Sequence, residues 1–120
     1  MKRRDLGILG EKLARDFLEK NGYRIIETNY RCPEGEIDII AQQQDTLVFI
    51  EVRTKKSRQF GSPEESITAV KKKRLKSVAL HYGQNRSNLP SSWRIDVVAI
   101  QMEGNGRVSR IEIIENAVSD

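Results

Sequence analysis

Two short apolar segments, each carrying acid, constrain this chain more than anything else in it. They are Gly35-Glu36-Ile37-Asp38-Ile39-Ile40-Ala41 and Leu47-Val48-Phe49-Ile50-Glu51-Val52-Arg53. Their length and β-branched content are those of buried strands. The polar stretch between them is short enough for a hairpin. A loop over Gln43 to Thr46 pairs Gln42 with Leu47, and the same register pairs Ile40 with Phe49, Asp38 with Glu51, and Glu36 with Arg53. Side chains alternate across a strand, so these residues share one face. Asp38 and Glu51 then become cross-strand neighbours, with Cβ atoms about 5 Å apart. Carboxylates in such a setting are costly unless paired or metal-bound. Oxygen ligands at this spacing suit Mg²⁺ or Mn²⁺. They equally suit a solvated patch in which Arg53, Lys55 or helix-borne lysines neutralise the acids, and the spacing alone leaves both open.

The rest of the chain supplies the frame. Leu6, Leu9, Leu13 and Phe17 make one helical stripe over Leu6 to Asn21, closed by Asn21-Gly22. Tyr23 to Tyr30 reads as a strand and Cys32-Pro33-Glu34-Gly35 as a turn. Strands follow at Glu36–Ala41 and Thr46–Thr54, then a basic loop at Lys55–Gly61. Ser62-Pro63-Glu64-Glu65 looks like a capped helix start, with Ile67, Val70, Val78 and Tyr82 at helical spacing up to Gly83. Trp93–Met102 and Val108–Glu115 read as strands about Gly104-Asn105-Gly106. The order αβββαββ predicts one α/β domain spanning residues 1–120, a mixed sheet with helices on its faces.

Charge points to a polyanion. The net charge is +4, yet nine Lys or Arg fall between Arg53 and Lys76 against two acids, Glu64 and Glu65. Lys71, Lys72, Lys73, Arg74 and Lys76 have no acid four residues on to pair with, unlike many solubilising helices. With Lys55, Lys56 and Arg58 they are the candidates for phosphate contact. No side chain looks suited to base readout, so selectivity for DNA shape is expected. A single cysteine, Cys32, excludes an internal disulfide and a cysteine-clustered zinc site, and a single histidine, His81, argues against a His-based one. No apolar h-region follows the charged N-terminus, so no secretory signal is read and a cytoplasmic location is expected. Asp96, among Ile95, Val97 and Val98, reads as structural, pairing with Arg94 or a helix lysine.

The motifs together resemble the YraN-like family, small bacterial proteins predicted to be endonucleases distantly similar to archaeal Holliday junction resolvases. The likeness covers nearly the whole chain. It includes Gly10-Glu11-x-x-Ala14, Gly22-Tyr23, Asn29-Tyr30-Arg31, the two acid-bearing strands, the Ala69-Val70 helix with Lys73 and Ala79, and Arg94-Ile95-Asp96-Val97-Val98. The resemblance implies a restriction-endonuclease-like fold with an αβββαβ core and a PD-(D/E)xK site. It makes Asp38 and Glu51 metal ligands, places Arg53 at the motif lysine, and matches Glu11 to the first-helix acid of resolvases. Ile37 replaces the motif proline. Arginine at position 53 keeps the charge but cannot release a proton; Lys55, on the same face, is the nearest substitute. Glu36 is expected in support, beside Asp38 or paired with Arg53. On the residues alone, Glu11 reads rather as a surface acid pairing with Arg15.

Two functions follow. One is a Mg²⁺- or Mn²⁺-dependent endonuclease acting on DNA, with branched or structured DNA as the expected substrate. The other is a non-catalytic nucleic-acid-binding module of the same fold. A homodimer is expected by analogy with resolvases, through the exposed edge of the last strand.

Overall fold

The computed structural model describes residues 2–56 and 61–118. Its elements run α1 (Arg3–Lys20), β1 (Arg24–Cys32), β2 (Gly35–Gln43), β3 (Thr46–Lys55), a 3₁₀ turn (Glu64–Ser66), α2 (Ala69–Gln84), β4 (Ser92–Met102) and β5 (Val108–Ile114). The sheet order is β1-β2-β3-β4-β5. β3 and β4 run parallel, and every other neighbouring pair runs antiparallel. A parallel pair needs a long crossover, and the segment containing α2 provides it. The fold is α/β with the expected αβββαβ core and mixed sheet.

Strand alternation builds two cores. Ile39, Ala41, Val48 and Ile50 pack with Ala14 and Leu18 of α1. Ile40, Leu47 and Phe49 pack with Leu75, Val78 and Tyr82 of α2. Each helix thereby buries an apolar stripe on its own sheet face. α1 ends at Asn21 and Gly22, the glycine at φ +86°, where a side chain would be strained.

The second helix corrects the sequence reading. Ser62 does not start it. Glu64–Ser66 forms a 3₁₀ turn, Ile67 is extended at φ −84° and ψ 111°, and Thr68 caps α2 by accepting from the Lys71 N–H at 3.1 Å. The Ser62 hydroxyl donates to the Glu65 carboxylate instead of capping backbone. The two guanidinium nitrogens of Arg110 grip Glu64 at 3.0 and 2.8 Å, holding the turn against β5. The helix's register therefore begins at Thr68, and Val70, expected in the core, is exposed.

Asp96 is buried but satisfied. It accepts from the Tyr23 hydroxyl at 2.9 Å, from Arg94 at 2.9 and 3.1 Å, and from the Asn116 N–H at 2.9 Å. Burial and that acid push the Tyr23 phenol up to about 12, so it stays protonated as the donor. No helix among the described residues is long and apolar enough to cross a membrane.

Candidate active site

The β2–β3 ladder has the register that the sequence implies. Gln42 faces Leu47, Ile40 faces Phe49, and Ile39 faces Ile50. Beyond that pair the ladder stops. The Asp38 carboxylate accepts the Val52 N–H at 2.8 Å, so a side chain takes the place of a backbone acceptor. On the other side of Asp38, Asn29 of β1 adopts φ +54°, a conformation asparagine tolerates better than most residues. Alternation also breaks here. Ile37 packs on the α2 side, whereas Ile39 packs on the α1 side.

The break re-aims Asp38. It was expected on the face of Ile40 and Phe49, but it opens into a cleft of about 660 Å³ that Gly7 and Glu11 of α1 also line. Glu51 is 4% exposed and is reached by Arg53 at 3.2 Å and by Lys71 of α2 at 3.6 Å. The two carboxyls still adjoin. Burial, then the Asp38 charge, push the Glu51 carboxyl up to about 7, and Lys71 and Arg53 counter this only partly.

Each remaining candidate has a definite place. Glu11 lines the Asp38 cleft and accepts from the Asn29 side-chain amide at 3.0 Å. Its carboxylate does not join Asp38 and Glu51 in a set of three within 4.8 Å of one another. Glu36 is not brought to the site. It pairs with Arg31 at 3.1 Å on an exposed surface, because the ladder's break leaves Glu36 beyond the paired stretch. Lys55 and Lys56 line the cleft. Lys72, Lys73 and Arg74 are exposed on α2, with Lys76 half-buried. Arg58 lies outside the described residues.

Lys71 differs from its neighbours in the basic run. It turns inward to Glu51, a residue twenty positions earlier that no sequence period announces as its partner. Asn29 is the other contributor missed in the sequence. Its readable signal was a turn-favouring residue inside a strand pattern. Gly10 sets the depth of the cleft. A Cβ added there would collide with the Thr54 hydroxyl and come within 3.3 Å of its Cβ, so only glycine lets α1 lie this close to β3.

The donors fit a hard divalent cation. Two carboxylates from adjacent strands meet with their charges in conflict, and a cation between them relieves that conflict. The same cleft suits a phosphate. Among the described residues, buried Arg53 Nε has no hydrogen-bond partner.

Comparison with known proteins agrees with this reading of the family. A profile described as "Uncharacterised protein family UPF0102" matches residues 10–100. A UPF0102 protein of Moorella thermoacetica is 47% identical over 117 residues, covering 98% of both chains. One from Caldicellulosiruptor saccharolyticus is 44% identical over 117 residues, covering 98% of this chain and 99% of its own. A solved structure, Pyrococcus furiosus SfsA in complex with Ca²⁺, covers 98% of this chain and 65% of its own at 18% identity and TM-score 0.45, a likeness too loose to bear on function. From the profile match and these near full-length relatives, the chain belongs to the UPF0102 family.

Proposed function

We propose that this chain is a metal-dependent phosphodiesterase that cuts DNA, with branched or otherwise structured DNA as its substrate class. The observation that carries this reading is the cleft itself. An acid pair, half-buried Asp38 and buried Glu51, adjoins two cations, Arg53 and Lys71, and Arg53 Nε has no partner among the described residues. Asp38 and Glu51 would hold Mg²⁺ or Mn²⁺, which polarises a scissile phosphate and activates water. Arg53, at the cleft beside Glu51, offsets the charge that grows on a phosphate oxygen. Lys71 takes the part that the motif gives to its strand lysine. Its compact ammonium beside Glu51 can release a proton toward a leaving oxygen, which a guanidinium cannot do. Glu11, through Asn29, sets the α1 wall of the cleft. Lys55 and Lys56 at the cleft, with Lys72, Lys73 and Arg74 on α2, hold flanking phosphates without reading bases.

The test is a nicking assay on four-way, flapped, single-stranded and linear DNA with Mg²⁺ or Mn²⁺, in parallel with gel shifts in EDTA. Wild type is expected to cut weakly. Asp38→Asn and Lys71→Gln should bind without cutting, and Arg53→Lys should cut at least as well as wild type. If neither wild type nor Arg53→Lys cuts any of these DNAs yet both shift them, the chain is a binding module.

A further inference from the structure

The chain's single cysteine and single histidine are 49 positions apart, and the fold brings them together. Cys32 ends β1, Glu34 sits in the β1–β2 turn, and His81 lies near the end of α2. One ligand atom from each falls within 4.8 Å of the other two. Among the described residues this is the one set of three such groups that close. It belongs to the α2 side of the sheet, where Cys32 and Tyr30 pack against the second core, whereas Asp38 opens under α1.

We propose that Cys32, Glu34 and His81 form a second metal site, for a zinc-class divalent cation, which pins the β1–β2 turn to α2. Thiolate, imidazole and carboxylate are the ligand types zinc takes, and a thiolate is a poor ligand for Mg²⁺. Metal–ligand distances of about 2.0–2.3 Å place tetrahedral donors roughly 3.5 Å apart, so small rotations close the set. One ligand is free to move and another is already oriented. Glu34 is an exposed turn residue with room to swing. The His81 ring already has an outer partner, since Nδ1 lies 2.9 Å from the Tyr30 hydroxyl. With Nδ1–H donating to the Tyr30 oxygen, Nε2 is the ring nitrogen left for a metal, the arrangement found around ligating histidines. Three protein ligands leave one position for water, the pattern of an open rather than a closed zinc site.

The two metal sites would differ in kind: oxygen donors for a hard cation under α1, and a mixed sulfur, nitrogen and oxygen set against α2. The second site stands whether or not the first one cuts DNA.

The full chain, reduced and stripped with chelator, is titrated with Co²⁺ as the probe. One equivalent should produce a thiolate-to-cobalt charge-transfer band in the near ultraviolet, which Zn²⁺ displaces. The band should persist in Asp38→Asn and vanish in Cys32→Ser. Glu34→Gln and His81→Gln should each weaken cobalt binding about ten-fold or more. Metal-free melting curves identify any variant that fails to fold. Glu34→Gln alters an exposed turn residue and keeps the test decisive if Cys32→Ser does not fold. No thiolate band at one equivalent overturns the proposal. So does a band whose affinity is unchanged in both Glu34→Gln and His81→Gln, because a lone thiol would then account for it.

Discussion

Replacing Glu51 by glutamine should stabilise the metal-free chain. Glu51 is 4% exposed, and its carboxyl rises from an ordinary 4.5 to about 7, first through burial and then through Asp38. At about 1.4 kcal/mol per pH unit, holding that group charged above pH 7 costs roughly 3 kcal/mol, as an upper bound. Glutamine keeps the shape and sheds the charge. The attraction of Arg53 and Lys71 is already counted within that shift, so the further cost is the weaker hydrogen bonding of an amide than a carboxylate to those two cations. A net gain of about 1–2 kcal/mol remains, or roughly 3–8 °C in Tm for a chain of this size. The sign with pH follows from proton binding. Between pH 4.5 and 7 the native Glu51 holds a proton more tightly than the unfolded chain does. Wild-type stability is therefore fully present below that window and falls as pH rises through it. The assay is thermal melting in EDTA from pH 5 to 9 for wild type and Glu51→Gln. The gap should widen toward alkaline pH, and millimolar Mg²⁺ should narrow it by raising only the wild type. A Glu51→Gln chain less stable than wild type at pH 8 in EDTA would refute the reasoning, since the two acids would then not be in conflict.

Other outcomes follow from separate parts of the molecule. Gly10→Ala should lower stability by about 1–2 kcal/mol despite its better helix propensity, because its Cβ meets Thr54. Gly7→Ala, which meets nothing within 4 Å, should raise it by up to about 1 kcal/mol, and paired melts compare the two. The Arg110 hydrogen bonds hold the Glu64 carboxyl down at about 2, so that pair's stabilisation is present above pH 4.5 and falls away as pH drops toward 2. Acid titration of melting should accordingly show wild type and Arg110→Gln converging over that range. Replacing Lys72, Lys73 and Arg74 with glutamine should weaken binding alike for unrelated DNA sequences. A salt titration by fluorescence anisotropy should show the log–log slope falling by about one for each phosphate that the variant no longer neutralises.

What the sequence made legible was local. The β2–β3 register could be read because two apolar runs flank a short polar turn that fixes their pairing. That register carries Asp38 toward Glu51, but the ladder ends at Ile39 and Ile50, so the way the two acids meet was not legible. The start of α2 could not be read. Ser62-Pro63-Glu64-Glu65 has the residues of a helix cap, but Arg110, 46 positions beyond Glu64, claims its carboxylate, and buried Ile67 breaks the turn. The same limit hid Lys71 from Glu51, Asn29 from Glu11, and Cys32 from His81, each a meeting between elements that no spacing encodes. Glu36 failed for a different reason. Its expected place assumed a regular ladder, and the ladder ends at Ile39 and Ile50.

The break at Asp38 also sets an order of events in folding. Asp38 and Glu51 sit in one hairpin, thirteen positions apart, whose closure takes microseconds. Lys71 arrives only when α2 docks, and the β3–β4 pairing joins residues such as Thr46 and Ser92 across 46 positions. Such non-local pairing is the slow part of folding. The nascent hairpin thus brings its two acids together before their lysine partner is in place. Arg53, two residues beyond Glu51 on the same strand, is the cation the hairpin brings with it. A cation at position 53 thus has a use before any substrate is met, as the hairpin's own counter-charge to its two acids.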